Sequence, residues 1–156
     1  MGLESTIIAC LEEPTLLRPG ALPRTAIEKV LPLKDPPTGA GVATVKLADE
    51  DAVLIAPGGL PSHYAPRARL RLDAPSVAAG EALLAFGPNK IEGAENAALE
   101  LNLSQRGDLI EAAARLFSHL RALDACGAAI IAVMPVPQTG LGEAINDRLR
   151  RAAAPR

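Results

Sequence analysis

A continuous apolar run at residues 128–136, AAIIAVMPV, constrains the fold more than any other part of the sequence. Such a run, with β-branched residues, is typical of a strand covered on both faces, as in a parallel sheet. The preceding segment has apolar residues at a 3.6-residue period and predicts an amphipathic helix, capped by Ser104 or Asp108 and ending at about residue 125. Gly127 suits the position just after that helix. Its apolar stripe consists of Leu109, Ala113, Leu116, Phe117, Leu120 and Leu123.

Further strand and helix patterns surround this pair of elements. Strands are predicted at 70–72, within 81–87 and over 97–103. A last helix follows Gly140-Leu141-Gly142, with an apolar face of Ile145, Leu149 and Ala152. Alternating strands and helices over about 68–154 predict a small α/β sheet domain.

Length, charge and cysteine content exclude several classes of protein. The chain has 156 residues, a formal net charge of -2 and two cysteines. The slightly negative charge argues against a strongly basic nucleic-acid binder. The two cysteines are too few for a disulfide scaffold or a cysteine-rich zinc module. No apolar run approaches the roughly 20 residues that cross a bilayer, and residues 1–14 lack the basic start of a signal peptide. We therefore expect a cytoplasmic protein without direct membrane or nucleic-acid contacts, with Cys10 and Cys126 as small buried residues.

The N-terminal residues predict a β-hairpin. Residues 5–10 are β-branched and apolar, and residues 15–18 form a second short strand after a turn at Pro14. Pro19-Gly20 closes the hairpin. A short helix is predicted from Thr25 to Leu31, with Ile27, Val30 and Leu31 on one face.

Residues 32–67 are rich in proline and glycine, which predicts a linker or a functional loop. Weak strands are possible at 43–47 and 52–56. The segment carries His63 and Tyr64, the only tyrosine. A stiff loop with these side chains suits a ligand lid, because the tyrosine ring can stack on a base and the imidazole can reach a phosphate. A surface loop anchored by its tyrosine is the equally weighted alternative.

Ser5 and Arg18 are the candidate binding residues of the hairpin. Because they lie at the head of one strand and the end of its neighbour, they could meet at one edge. A hydroxyl can bind a carboxylate or phosphate, and an arginine can clamp a phosphate with two N–H groups. The alternative is a polar strand end and a surface arginine.

The segment from Gly140 to Arg151 offers two weaker signals. Gly140-Leu141-Gly142 could cradle a phosphate at a helix N-terminus, although a plain tight turn is favoured. The basic residues Arg148, Arg150 and Arg151 are expected to complement the dipole at the end of the last helix.

Four blocks in this order resemble one protein family. They are GLESTII (2–8), LLRPGAL (16–22), APGGLPSHYAPRA (56–68) and GLGEAINDRLRRAA (140–153). The first two resemble the closing strands of the YrdC-like catalytic domain of L-threonylcarbamoyladenylate synthases. The third resembles the family's linker, and the fourth the C-terminal accessory domain of its long form.

The resemblance implies three regions. Residues 1–31 would be the end of a YrdC-like α/β catalytic domain, residues 32–67 the linker, and residues 68–156 a small Rossmann-like accessory domain with a parallel sheet. The family's large N-terminal part is not matched, so the isolated chain is expected to be inactive. The hairpin is expected to pack on the accessory domain, to dimerise or to be poorly ordered. Pro61 stands where the family's linker often has a further tyrosine.

The resemblance also implies a chemistry. The family makes L-threonylcarbamoyladenylate from L-threonine, bicarbonate and ATP, with release of pyrophosphate, for a tRNA modification. Ser5 would contact threonine, Arg18 the ATP phosphates, and Tyr64 with His63 would close over the nucleotide. ATP would act as a substrate with Mg²⁺, without a bound prosthetic group or a protein nucleophile.

Two other interpretations stay open. The first is a stand-alone regulatory module that binds a nucleotide or a protein. The second is an unrelated small Rossmann-like nucleotide binder that uses the turn at 140–142.

Overall fold

The computed structural model describes residues 2–10, 13–35, 44–45, 53–54 and 66–154. It contains an N-terminal hairpin with a short helix, a pair of two-residue strands, and a parallel sheet with two long helices. The α/β architecture predicted from the sequence is confirmed.

The hairpin joins β1 (Ile7–Ala9) to β2 (Thr15–Arg18) in antiparallel pairing. Arg18 lies opposite Ile7, and the register is irregular between Ile7 and Ile8. An irregularity of this kind locally disrupts the pairing of the two strands. The hairpin predicted at 5–18 is therefore confirmed.

The first helix, α1 (Arg24–Ile27), is shorter than the predicted helix at 25–31 and contributes no buried residue. Val30 is 87% exposed, so the predicted apolar face of this segment is wrong. Pro32 disfavours helical geometry at the residue before it, which limits how far a helix can extend here. Beyond α1, β3 (Thr44–Val45) pairs antiparallel with β4 (Val53–Leu54), and both fall within the weak strands predicted from the sequence.

The larger sheet contains β5 (Arg69–Arg71), β6 (Ala82–Ala85), β7 (Glu100–Asn102) and β8 (Ile130–Val133). Their order is β5-β8-β6-β7, and all three pairs are parallel. Since β8 lies on the opposite side of β6 from β7 and runs parallel to it, the chain crosses over the sheet between β7 and β8, a connection that is usually helical.

That crossover helix is α2 (Leu109–Ala125), and α3 (Leu141–Ala153) follows β8. Asp108 caps α2 by accepting hydrogen bonds from the backbone N–H groups of Ile110 (2.7 Å) and Glu111 (3.0 Å). Gly127 ends it with a φ of 84°, the left-handed conformation that suits glycine. The helix α2 lies against β6 and β7, α3 lies against β5, and the two helices contact each other.

The apolar run of β8 is buried on both sides, with alternate residues facing alternate layers. Ile131 and Val133 pack in the core that includes α2 and α3. Ala132 and Met134 pack in a second cluster with residues of the segment 74–97. This two-sided burial explains why the run lacks the polar alternation of a half-exposed strand.

The prediction that both cysteines are buried is wrong. Cys10 and Cys126 are exposed and free. Cys10 follows the end of β1, and Cys126 is the C-cap of α2. Each thus stands where its element ends rather than on an inward face. Among the described helices, none has the length and apolar character needed to cross a membrane.

Candidate functional site

The structure brings Ser5 and Arg18 together at the edge of the hairpin. Arg18 Nη2 donates to the Ser5 carbonyl oxygen at 3.0 Å, and Arg18 Nε donates to the same oxygen at 3.3 Å. Arg18 Nη2 also lies 3.4 Å from Ser5 Oγ. The predicted meeting of the two residues is therefore confirmed.

Close backbone crossing holds Ser5 in place. The Ala21 N–H donates to the Glu4 carbonyl at 2.9 Å. Thr6 Oγ1 donates to the Leu22 carbonyl at 2.7 Å and accepts the Leu22 N–H at 3.2 Å. A side chain at Gly20 would overlap the Glu4 carbonyl oxygen, so only glycine permits this approach. Ser5 is thus fixed on both sides by residues 20–22.

Exposure and charge suit this pair to an anionic ligand. Ser5 is exposed and Arg18 is partly buried. Burial, followed by the nearby positive charge of Arg148, lowers the pKa of Arg18 from its ordinary high value. A hydroxyl beside a guanidinium can bind a carboxylate or a phosphate.

A cluster of charged residues lies behind this pair and joins the hairpin to α3. Arg148 Nε donates to Glu4 Oε2 at 2.8 Å, and Arg148 Nη1 contacts the Asp147 carboxylate. Arg151 Nε donates to Asp147 Oδ2 at 2.9 Å. Burial raises the pKa of Glu4, but hydrogen bonds from its backbone and from Arg148, with the charges of Arg148 and Arg18, outweigh burial and lower it.

The sequence interpretation of Arg148 is wrong. Its side chain is only 5% exposed and faces the hairpin rather than the solvent around the end of the helix. Arg150 and Arg151 do lie in the last turn, as expected. The sequence did contain a signal for the burial of Arg148. This residue is adjacent to Leu149 and three positions after Ile145, which places it next to the apolar face of α3.

A second ion pair links the same helix to α1. Arg24 Nε and Nη2 donate to Glu143 Oε1 at 3.2 and 3.1 Å, and Arg24 Nη2 also contacts Asp35. Glu143 lies in the first turn of α3, where a negative charge is favourable. These contacts connect residues far apart in sequence, so local patterns could not reveal them.

The predicted ligand lid, His63 with Tyr64, lies outside the described residues.

The turn at Gly140-Leu141-Gly142 is tightly packed. The Gly142 N–H donates to the Thr139 carbonyl at 2.9 Å, and a side chain at Gly142 would overlap the Pro137 carbonyl oxygen. Gly140 has a φ of 57°, which glycine adopts readily. The favoured interpretation as a tight turn fits this geometry.

A groove of about 700 Å³ runs between β7 and the adjacent side of α2. Its walls include Glu111, Arg115 and His119, which follow at four-residue spacing along α2. Glu111 is engaged by Arg115 and by the Ser104 hydroxyl. Burial lowers the pKa of His119, although a hydrogen bond with the Asn102 backbone acts against it. Glu111 and His119 each therefore have a hydrogen-bond partner in the walls of the groove or next to them.

Within the described residues, no group of three or more histidines, cysteines, aspartates or glutamates could hold a metal ion.

Comparison with known families gives a direct match. The family model described as "Threonylcarbamoyl-AMP synthase, C-terminal domain" matches residues 22–154. The chain belongs to this family. The match covers α1 and the whole parallel sheet, in agreement with the resemblance of residues 140–153.

Relatives extend the similarity to the hairpin. The chain is 30% identical over 168 residues to the threonylcarbamoyl-AMP synthase of Bacillus subtilis, covering 100% of this chain and 46% of that protein. It is 34% identical over 173 residues to the synthase of Pyrococcus abyssi, covering 98% of this chain and 46% of the relative. The chain therefore spans about half the length of these curated relatives.

Solved structures show the same fold. The crystal structure of P. abyssi Sua5 complexed with L-threonine matches with a TM-score of 0.63 and 26% identity, over 97% of this chain and 46% of that one. A variant of P. abyssi Sua5 with an adjacent histidine and tyrosine replaced by alanine matches with a TM-score of 0.70 and 27% identity. It covers 97% of this chain and 45% of that one.

Proposed function

We propose that this chain supplies the C-terminal part of a threonylcarbamoyl-AMP synthase. Such an enzyme makes L-threonylcarbamoyladenylate from L-threonine, bicarbonate and ATP for the threonylcarbamoyladenosine modification of tRNA, here in the cytoplasm. The observation that carries the proposal is the Ser5–Arg18 pair, an exposed hydroxyl beside a guanidinium, in a chain of this family.

Ser5 would contact the threonine substrate. Its exposed hydroxyl can donate to a carboxylate or accept from an ammonium group. The L-threonine complex of a structurally similar protein supports threonine as the substrate class.

Arg18 would bind the phosphates of ATP. Its guanidinium carries the positive charge that a polyphosphate requires, and Ser5 already fixes its orientation. Mg²⁺ would arrive with ATP as part of that substrate. Catalysis would then consist of positioning the substrates and neutralising the charge that develops as pyrophosphate leaves.

His63 and Tyr64 would close over the nucleotide. They form the only adjacent His–Tyr pair in the sequence. A lid of this kind would exclude water from an intermediate that hydrolyses readily. A structural relative, P. abyssi Sua5, also has a histidine followed directly by a tyrosine, the pair replaced by alanine in one of its structures.

The test is a chimera in which this chain replaces the aligned part of the B. subtilis synthase. Pyrophosphate release is measured with ATP, with and without L-threonine and bicarbonate. We expect release that requires both, and none from the isolated chain. A folded chimera without threonine-dependent release would contradict the proposal. Micromolar nucleotide binding by the isolated chain, lost in Tyr64→Ala, would instead favour the stand-alone module.

A site variant sharpens the result. In the chimera, Ser5→Ala should raise the KM for threonine about tenfold, the usual effect of losing one hydrogen bond to a charged group. Ser118→Ala is the matched control, because Ser118 is exposed on α2 and bonds only to the Arg115 carbonyl among the contacts described. Equal KM values in the two variants would remove Ser5 from the threonine site.

A further inference from the structure

We propose that Arg148 on α3 is a positioning residue for the Ser5–Arg18 pair and acts through the carboxylate of Glu4. The role of that pair in substrate binding rests on the proposed function, whereas the geometric role of Arg148 does not. We call β5 to β8 with α2 and α3 the sheet unit. Its role would then be to fix the geometry of the hairpin formed by β1 and β2.

The segment that carries Ser5 leaves directly from the core of the sheet unit. Leu3 is 7% exposed and belongs to the core cluster that contains α2 and α3. A side chain at Gly2 would overlap the Ala113 carbonyl oxygen of α2. Ser5 is two residues after Leu3. At about 3.3 Å per residue in an extended chain, it lies within roughly 7 Å of this buried contact.

Glu4 connects the two sides. Its backbone carbonyl belongs to the hairpin crossing, where it accepts the Ala21 N–H, while its carboxylate accepts from Arg148 Nε at 2.8 Å. Its neighbour Ser5 provides the carbonyl that orients Arg18. A shift of α3 at Arg148 therefore reaches the site through one side chain and one peptide unit.

The burial of Arg148 makes this connection hard to replace. The side chain is 5% exposed, and its Nη2 has no hydrogen-bond partner in the described part of the chain. Its remaining bonds go to Glu4 and Asp147, so those two carboxylates fix its position. Removing Arg148 takes from Glu4, whose side chain is 30% exposed, its hydrogen bond to α3 and the charge that draws it inward. The Glu4 segment would then move toward solvent and take Ser5 with it.

The experiment uses the 156-residue chain without substrate and reads Arg18 directly. In ¹⁵N NMR, the Arg18 Nε–H should be slow to exchange with solvent, because it donates to Ser5. We compare Arg148→Met and Arg148→Lys with Arg150→Met, which changes an exposed arginine on the same helix. The amide of Ile131 in β8 serves as the internal reference for the core.

Arg148→Met should speed exchange of the Arg18 Nε–H and the Ala21 amide about tenfold relative to Arg150→Met, with Ile131 almost unchanged. Arg148→Lys should give a smaller increase, because it keeps the charge but not the guanidinium geometry. The double variant Glu4→Gln with Arg148→Met should recover part of the protection, since the side chain at position 4 then carries no charge that draws it toward solvent.

Two results would overturn the proposal. One is equal Arg18 Nε–H exchange in the Arg148 and Arg150 variants. The other is an increase at Ile131 as large as that at Arg18, which would show general destabilisation. If Arg148→Met does not fold, Arg148→Lys decides by the same two criteria. Because no substrate is used, failure of the synthase activity would leave this outcome unaffected.

Discussion

At the scale of single residues, charged side chains connect parts of the chain that are distant in sequence, as Arg148 of α3 does with Glu4 and Arg18 with Ser5. Ser5 and Arg18 could be paired from the sequence because the hairpin fixes where their strands start and end. Arg148 could not be paired with Glu4, because a contact between the first and last elements depends on how α3 packs. Local periodicity locates a face, but it does not identify the residue that will lie against it.

An ion pair between the partly exposed Arg71 of β5 and the buried Glu81 just before β6 provides a pH test at this scale. Glu81 is 8% exposed; it accepts from Arg71 Nε at 3.2 Å and from the Ala78 N–H at 2.9 Å. The hydrogen bond from Arg71 is the main reason that the pKa of Glu81 is lowered. Glu81→Gln should reduce the free energy of unfolding at pH 7 by about 1–2 kcal/mol, allowing for the partly exposed arginine.

The sign of the pH dependence follows from the lowered pKa. The folded state favours the ionised carboxylate, so the unfolded state binds more protons as the pH falls. The stabilisation is full above the unfolded pKa of about 4.3 and is lost as the pH falls through the lower, folded value. Urea unfolding from pH 7 to pH 3 should therefore show the wild type converging on Glu81→Gln. Glu92→Gln, an exposed change in the connection between β6 and β7, should run parallel to the wild type. A constant Glu81→Gln difference over this range would contradict the account.

At the scale of helices and strands, the type of each element and their order along the chain were predictable from the sequence. The first and last residues of each element were less so. The four strands and two long helices of the sheet unit appear where periodicity and glycine positions indicate them. The exception is α1, which ends at Ile27 and buries no residue, while Val30 of the predicted apolar face is 87% exposed. A helical period predicts burial only where another element covers it.

At the start of α3, packing and helix propensity predict opposite changes in the free energy of unfolding for the same substitution. Glycine inside a helix costs about 1 kcal/mol relative to alanine, so propensity alone predicts that Gly142→Ala stabilises. The buried contact with the Pro137 carbonyl predicts the reverse, because backbone atoms must shift to admit a methyl group. We expect a loss of about 1–3 kcal/mol in unfolding free energy. Ala114→Gly, at an exposed site on α2, calibrates propensity in the same protein, and a stabilised Gly142→Ala variant would contradict the packing.

At the scale of the whole molecule, the hairpin and α1 are joined to the sheet unit by packing and by two ion pairs. Leu3 enters the core of the sheet unit, while Glu4 and Arg24 bond to α3. Of the three outcomes expected for the hairpin, the structure shows packing on the sheet unit. The sequence could not choose among them, because the deciding contacts involve residues over a hundred positions apart.

Truncation of Leu3 tests this junction. Leu3→Ala should lower the free energy of unfolding by about 2 kcal/mol, the lower end of the range for buried leucines, because it lies at the edge of the core. Amide exchange should increase more in β1 and β2 than in β8. Leu22→Ala, which truncates a leucine that is 55% exposed, should change little. Equal effects of the two truncations would show that Leu3 does not secure the hairpin.

Arg18 is the residue on which the proposed binding of substrate phosphates at the hairpin depends. The decisive measurement is the rate of threonine-dependent pyrophosphate release by the chimera with Arg18→Met, compared with Arg121→Met, an exposed arginine on α2. Loss of a positioned cationic donor should reduce kcat/KM for ATP about 10²-fold or more, while Arg121→Met should match the unmodified chimera. Equal rates in the two variants would contradict the account.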